Sequence, residues 1–232
     1  ALAHTRKIIL PLDDSAKIVK PRLLHSSQWG IIDPVDTPDG GNIGLHKHLA
    51  ISAIITTDTS STDMLDWLKQ NELMQSISYQ IPLDLSNKIK ILLNGSWVGV
   101  STNPTKLVLS FKIYRRLGLI PLYNSIYWEI NTNTIYIYTD AGRITRPIFY
   151  VDSITKTPSY LRDQEQLDKL SWQELTTGDN KKVIQYLNHK YYTHRELYNE
   201  QDISKLVNNS AIVEYIDTSE SEGLLITNEL DL

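Results

Sequence analysis

The stretch that decides the reading of this chain runs from Lys20 to Lys47: KPRLLHSSQWGIIDPVDTPDGGNIGLHK. Pro21, Gly30, Pro34, Pro38, Gly40, Gly41 and Gly44 punctuate it. That density argues against long helices and for a backbone held in special conformations, where glycine reaches positive φ without a steric penalty. The stretch also mixes cations (Lys20, Arg22, Lys47) with acids (Asp33, Asp36, Asp39) and one tryptophan, Trp29. Residue chemistry alone leaves two readings. One is an ordered long loop with Arg22 and an acid as a structural ion pair. The other is a rigid loop platform that positions charge beside a reacting phosphate.

Working outward, the preceding residues are partly basic, with Arg6, Lys7, Lys17 and Lys20 around a Pro11-Leu12-Asp13-Asp14 turn. Downstream, the β-branched run Ile51–Thr57 predicts a strand. Met64, Leu65, Trp67 and Leu68 predict a helix over 62–74, capped by Ser61 or Thr62. Asn94-Gly95 between two apolar arms predicts a hairpin over 89–100. Asn103-Pro104 opens a helix whose apolar positions are Leu107, Val108, Phe111 and Tyr114. Arg115 and Arg116 complement the macrodipole in its last turn, and Gly118 closes it. Segments 125–130, 135–139 and 144–151 predict three antiparallel strands joined by turns at 131–133 and 140–142. Residues 160–208 read as polar helix, with a capping box at Ser171 and Glu174. A strand at 211–216, an acidic turn at 219–222 and a last strand at 224–227 follow. The expected class is α+β: an irregular segment (1–57), then two small α/β domains (58–155 and 156–232) with antiparallel hairpins.

Composition narrows the function. Of the 232 residues 41 % are hydrophobic and 22 % charged, which excludes wholesale disorder. The net charge of −4 argues against a free-standing, sequence-independent DNA binder, whose affinity comes from neutralised phosphates. The absence of cysteine removes disulfides, thiol nucleophiles and thiolate zinc sites. His46 and His48 form an H-x-H pair near His25 and Asp39, but no third ligand stands at a metal-site spacing, so no metal is expected. No carboxylate pair stands out, and neither a Gly-x-Ser-x-Gly elbow nor a Walker loop occurs, so no independent active site and no catalytic residue are expected. The ends, Ala1-Leu2-Ala3 and Asp231-Leu232, read as those of a piece of a longer chain. Thirteen tyrosines with abundant Asn and Ile against ten glycines suggest an AT-rich genome.

Arg22-Leu-Leu-His25, Trp29-Gly30, Thr37-Pro38-Asp39-Gly40 and Asn42-Ile43-Gly44-Leu45 together resemble the fork region of the second-largest (beta-type) subunit of multisubunit DNA-dependent RNA polymerases. Asp39 stands where the family carries glutamate. The resemblance continues in order. Asn94-Gly95-x-Trp97-x-Gly99, Asn103-Pro104 and Arg115-Arg116 look like the first external domain, and Asp140-x-Gly142-Arg143-x-x-Arg146-Pro147 is similar to its D-x-G-R-x-x-R-P signature. Val213–Asp217 resembles the end of the second external domain, whereas 153–200 match poorly. The wording is eukaryotic-like and, with the AT-rich bias, suggests a large DNA virus.

The resemblance implies a noncatalytic part of a nucleotidyltransferase complex. It supports DNA-templated RNA synthesis from ribonucleoside triphosphates, with Mg2+ on the largest subunit and no cofactor on this piece. Implied partners are the largest and other polymerase subunits, the DNA template and RNA–DNA hybrid, and initiation factors, with no membrane. The implied location is the nucleus, or a viral factory or virion. Arg22, Asp39, His25 and Asn42 are implied as active-site support, with Arg22 and Asp39 paired. Arg6, Lys7, Lys17 and Lys20 are implied as nucleic-acid neighbours. Trp29, Gly30, Gly40, Gly44, Asp140, Gly142, Arg143 and Arg146 are implied as structural motif residues. The competing reading is a stand-alone noncatalytic interaction module derived from that subunit.

Overall fold

Asn94 and Gly95 both adopt positive φ, +48° and +81°, which is what a two-residue hairpin turn between right-twisted strands requires. That hairpin forms part of a five-stranded sheet, the largest among the described residues. The computed structural model describes residues 2–12, 17–77, 88–152, 156–161, 167–178 and 210–227. The parts of the expected 11–14 turn and 160–208 helix that fall on 13–16, 162–166 and 179–208 lie outside the described residues.

The chain opens with a single helical turn, α1 (Leu2–Thr5), and β1 (Lys7–Ile9). Residues 17–45 follow as irregular backbone with three 3-10 turns, Lys20–Arg22, Ser26–Gln28 and Gly40–Asn42. β2 (His46–His48) then returns antiparallel to β1, with Ile8 opposite Lys47. β3 (Ile54–Ile55), α2 (Ser61–Gln70) and β4 (Gln75–Ser76) lead to the hairpin β5 (Ile89–Leu93) and β6 (Ser96–Ser101). α3 (Pro104–Arg116), β7 (Ser125–Glu129), β8 (Thr134–Tyr138) and β9 (Ile144–Phe149) come next. α4 (Trp172–Thr177), β10 (Val213–Asp217) and α5 (Thr218–Glu222) complete the described elements. None of the described helices is long and apolar enough to cross a membrane.

The five-stranded sheet has the order β4-β6-β5-β8-β7, and α2 and α3 cover one of its faces. Alternate residues of its strands (Ile91, Leu93, Ile126, Ile135, Ile137) point into the core against Met64, Leu68, Leu107 and Phe111. Trp67 closes this core edge-on to Phe111 and Tyr114, with ring centroids 6.0 and 5.3 Å apart. The helices begin where local chemistry demands. Ser60 caps α2 through Asp63 N, Asn103 caps α3 through Lys106 N with Pro104 in the first turn, and Ser171 and Glu174 form a capping box on α4.

Five expectations need correction. The helix expected over 62–74 and capped by Ser61 or Thr62 runs from Ser61 to Gln70 and is capped by Ser60. Segments 125–130, 135–139 and 144–151 do not form an antiparallel trio. β7 and β8 pair antiparallel, but β8 continues parallel onto β5, and β9 joins a separate sheet of order β10-β9-β3. Gly142 at φ +85° turns the chain, and the Arg143 side chain anchors it to the Tyr123 carbonyl and Asp217, which leads β9 away from β8. The strand expected over 51–57 shrinks to Ile54–Ile55, because the Ala50 and Ala53 carbonyls accept from the Arg6 guanidinium rather than from a ladder. The acidic turn at 219–222 is part of helix α5, whose first turn Asp217 caps through Glu220 N. Residues 224–227 form no strand, and Leu225 among them is fully exposed.

The small sheet draws one strand from each of the three segments divided at 57 and 155. β3 pairs with β9, and β9 pairs with β10 over Val213–Asp217.

Candidate functional site

Arg22 organises the glycine-rich loop. Its 3-10 turn places the guanidinium so that Nη1 donates to the carbonyls of Gly41 (2.6 Å) and Ile43 (2.8 Å), while Nε donates to the Ile18 carbonyl at 3.1 Å. A planar fork with fixed donors suits several carbonyls at once, which a lysine cannot match. The loop is closed from its other side by Thr37. Its hydroxyl donates to the His46 carbonyl (2.9 Å) and accepts from Gly44 N (2.8 Å). Gly44 sits at φ +70° against the Arg22 backbone; a Cβ there would lie 2.5 Å from the Arg22 carbonyl oxygen. Only glycine meets both the φ and the approach.

The expected Arg22–Asp39 ion pair is not formed: no ion pair joins the two among the described residues. Asp39 is exposed at the N-cap of the Gly40–Asn42 turn, and its side chain makes no capping bond. Instead, the guanidinium donates to the loop carbonyls of Gly41 and Ile43 and to the Ile18 carbonyl. Arg22 therefore holds the loop by its backbone rather than by its acid.

The other sequence-selected residues fall into distinct places. His25 is exposed and caps the Ser26–Gln28 turn, its Nδ1 2.7 Å from the Ser27 hydroxyl. Asn42 is half-buried within its 3-10 turn. Arg6 directs Nη2 onto the Ala50 and Ala53 carbonyls, the second at 2.9 Å. Lys7 lies in β1, while Lys17 and Lys20 are exposed. Trp29 is half exposed, and its carbonyl accepts from Arg146. Gly30, at φ +75°, lets the Arg146 guanidinium approach where a Cβ would come within 2.9 Å of it; Gly40, at φ +80°, has open space around it. Burial lowers the Arg146 pKa from its ordinary value. Asp33 accepts from Val35 N and Asp36 N, and these two bonds hold its carboxyl below the usual range. His46 and His48 share a face of β2, with His48 Nδ1 3.1 Å from Asp36. Among the described residues no three His, Asp or Glu side chains gather as a metal-ligand group.

Sequence reading missed the most heavily charged centre. Arg115 is 1 % exposed, the largest fully buried side chain among the described residues. Its guanidinium meets both Glu220 oxygens (2.7 and 2.8 Å), the Asn124 carbonyl (2.8 Å) and Glu214. Arg116 grips the other Glu214 oxygen through Nε (2.8 Å) and Nη2 (2.7 Å) and stacks on Tyr150, 3.6 Å from its ring centroid. Lys112 lies 3.6 Å from Glu220. Burial alone would raise the Glu214 carboxyl, but Arg116, Arg115 and Lys112 hold it down to about 2. Burial likewise opposes the Arg115 charge, and Glu220 and Glu214 overcome it, so its pKa is raised. Nearby, Arg143 joins Asp140 (2.8 Å), Asp217 (3.0 Å) and the Tyr123 carbonyl (3.0 Å). A signal was present in the sequence: Leu107, Phe111 and Arg115 recur every four residues, which puts Arg115 on the apolar face of α3.

Arginines that clamp carbonyls, and buried ion pairs that pin a strand and a helix to α3, are the chemistry of a scaffold that fixes loops in place. Comparison with known proteins says which one. Residues 1–55 match the family model of RNA polymerase Rpb2 domain 3, and residues 91–152 match that of Rpb2 domain 4. The chain is 31 % identical over 225 residues to the DNA-directed RNA polymerase II subunit RPB2 of Meyerozyma guilliermondii, covering 97 % of this chain and 18 % of the relative. It is 34 % identical over 193 residues to the DNA-directed RNA polymerase II subunit 2 of Arabidopsis thaliana (80 % of this chain, 16 % of the relative). It is 31 % identical over 173 residues to the DNA-directed RNA polymerase III subunit RPC2 of Drosophila melanogaster (74 % and 15 %). The chain belongs to the Rpb2 family, the second-largest subunit of DNA-directed RNA polymerases, and is homologous to it over most of its own length. It spans 15–18 % of the length of these relatives.

Proposed function

We propose that this chain works as the fork (1–57) and the two external domains (58–155 and 156–232) of a polymerase second-largest subunit. In that role it supports DNA-templated RNA synthesis from ribonucleoside triphosphates without performing the chemistry itself. Metal-assisted phosphoryl transfer belongs to the largest subunit in this reading, which assigns Mg2+ no ligand on this chain. The observation that carries it is the Arg22 clamp: an arginine, a threonine and a positive-φ glycine lock loop 37–45 within the stretch matched to Rpb2 domain 3. A loop held this firmly gives a mobile catalytic element of a neighbouring subunit a fixed surface to close against.

The exposed cations Lys17 and Lys20 are the best placed to meet template or hybrid phosphates. Leu23, Leu24, Val35 and Ile43, each at least half exposed around the clamp, face the rest of the enzyme. The place of action is the nucleus, or a viral factory if the AT-rich composition reflects a large DNA virus. The test is affinity purification of the native protein from its source. Co-purification of a largest subunit with templated, Mg2+-dependent RNA synthesis is the expected result. Recovery of the protein without polymerase subunits or RNA synthesis would overturn this reading in favour of a stand-alone module.

A further inference from the structure

The face of the five-stranded sheet turned away from α2 and α3 is aromatic where an open sheet is ordinarily polar, and Gly223, just past α5, lies against the Tyr127 ring at its β7 edge. The register makes this concrete. Trp97 on β6 stands opposite Leu92 on β5, Leu92 beside Tyr136 on β8, and Tyr136 opposite Tyr127 on β7. These four residues form one row across four strands, about 14 Å long at the usual strand spacing. Tyr127 and Tyr136 stack with centroids 6.1 Å apart, and Tyr138 continues the stack from Tyr136 at 6.3 Å. Trp97 is 42 % exposed, and its indole Nε1 donates to the Gly99 carbonyl, which fixes the ring. Leu92, Tyr127 and Tyr136 are half-buried.

Charge is polarised along the row. At the β7 end lies Glu129, 3.5 Å from the Tyr136 hydroxyl, and Glu222 ends α5 next to Gly223, which lies against the Tyr127 ring. Neither acid has a cationic partner among the described residues. At the other end Lys90 lies 5.4 Å from the Trp97 ring. A single-stranded nucleic acid laid along the rings would bring its phosphates to two unpaired carboxylates. A strand cannot add here either, because the row crosses the sheet's face and offers no free backbone edge. The ligand that fits needs few backbone donors, apolar rings to lie on tyrosine and tryptophan, and a cation at one end.

We infer that this aromatic row docks a proline-rich, polyproline II segment of a partner protein, with a lysine or arginine seated between Glu129 and Glu222. Such a segment rises about 3.1 Å per residue, so four to five residues span the row. Its basic end meets the acids and a tyrosine face. The surface is independent of the Arg22 loop and does not rest on the polymerase reading.

The test is calorimetric titration of the 232-residue chain with blocked peptides: a proline run ending in two arginines, the same run ending in two glutamates, a Gly-Ser peptide of equal length, and a uridine oligomer. The expected result is saturable binding of the arginine peptide, about tenfold tighter than the glutamate peptide. Trp97→Thr and Tyr136→Thr each weaken it about tenfold, as loss of an aromatic anchor does. Glu129→Gln removes the preference for the basic end. Circular dichroism confirms the fold of each variant, and should Tyr136→Thr unfold, the more exposed Trp97→Thr decides alone. Absence of saturable binding, unchanged affinity in a folded Trp97→Thr variant, or tighter binding of the uridine oligomer would overturn the inference.

Discussion

Replacing Arg115 by methionine removes the hub of the buried charge cluster while keeping much of the side-chain volume. The structure fixes what remains. Glu214 keeps Arg116 at 2.7 Å, but Glu220, 2 % exposed, keeps only Lys112 at 3.6 Å, and the Asn124 carbonyl loses its guanidinium donor. Removing one side of a buried pair costs about 3–5 kcal/mol, because the surviving charge stays desolvated. Domains of this kind are stable by about 5–15 kcal/mol, so the variant loses between about a fifth and all of its margin. Urea denaturation followed by circular dichroism reads this directly. With a slope of about 1–3 kcal/mol/M, the midpoint falls by more than about 1 M. Adding Glu220→Gln to Arg115→Met then restores part of the loss, because the orphaned carboxylate is gone. The coupling between the two exceeds about 1 kcal/mol in a double-mutant cycle. A midpoint shift that corresponds to less than about 1 kcal/mol, or strict additivity of the two changes, would refute the claim that this cluster holds β10 and α5 onto α3.

Two glycines at similar φ separate backbone strain from steric contact. Gly142→Ala, with open space around φ +85°, costs about 1 kcal/mol, whereas Gly44→Ala adds a clash with the Arg22 backbone and costs more than about 2 kcal/mol, both read from thermal or urea melts. Acid should loosen the C-terminal strand. Glu214 is held at about 2 in the folded chain against an ordinary 4.5, so its contribution is complete above pH 4.5 and lost as pH falls through about 2. That window is worth of the order of 3 kcal/mol, and Glu214→Gln should flatten it in acid titrations of stability.

Much of the fold was legible because local chemistry decided it. Asn94-Gly95 dictates a hairpin, Asn103-Pro104 a helix start, and Ser171 with Glu174 a capping box, whatever surrounds them. Sheet membership was not legible. The pairing of β8 with β5 and of β9 with β10 depends on partners tens of residues away, chosen by where Arg143 anchors the chain. The same holds for the sites. The motif around Arg22 marked the loop that its side chain holds, but a guanidinium can satisfy itself on carbonyls or on a carboxylate, and the sequence does not rank them. Arg115 was read as a macrodipole cation because its partners, Glu214 and Glu220, stand about a hundred residues downstream.

The central claim is that the loop held by Arg22 braces a catalytic centre on another subunit. The most direct measurement is the elongation rate of the assembled polymerase carrying Arg22→Ala, alongside the subunit composition of the purified enzyme. The account predicts normal assembly and a rate altered by about tenfold, the scale on which loosened positioning shows in catalysis. An unchanged rate in a fully assembled enzyme would contradict it.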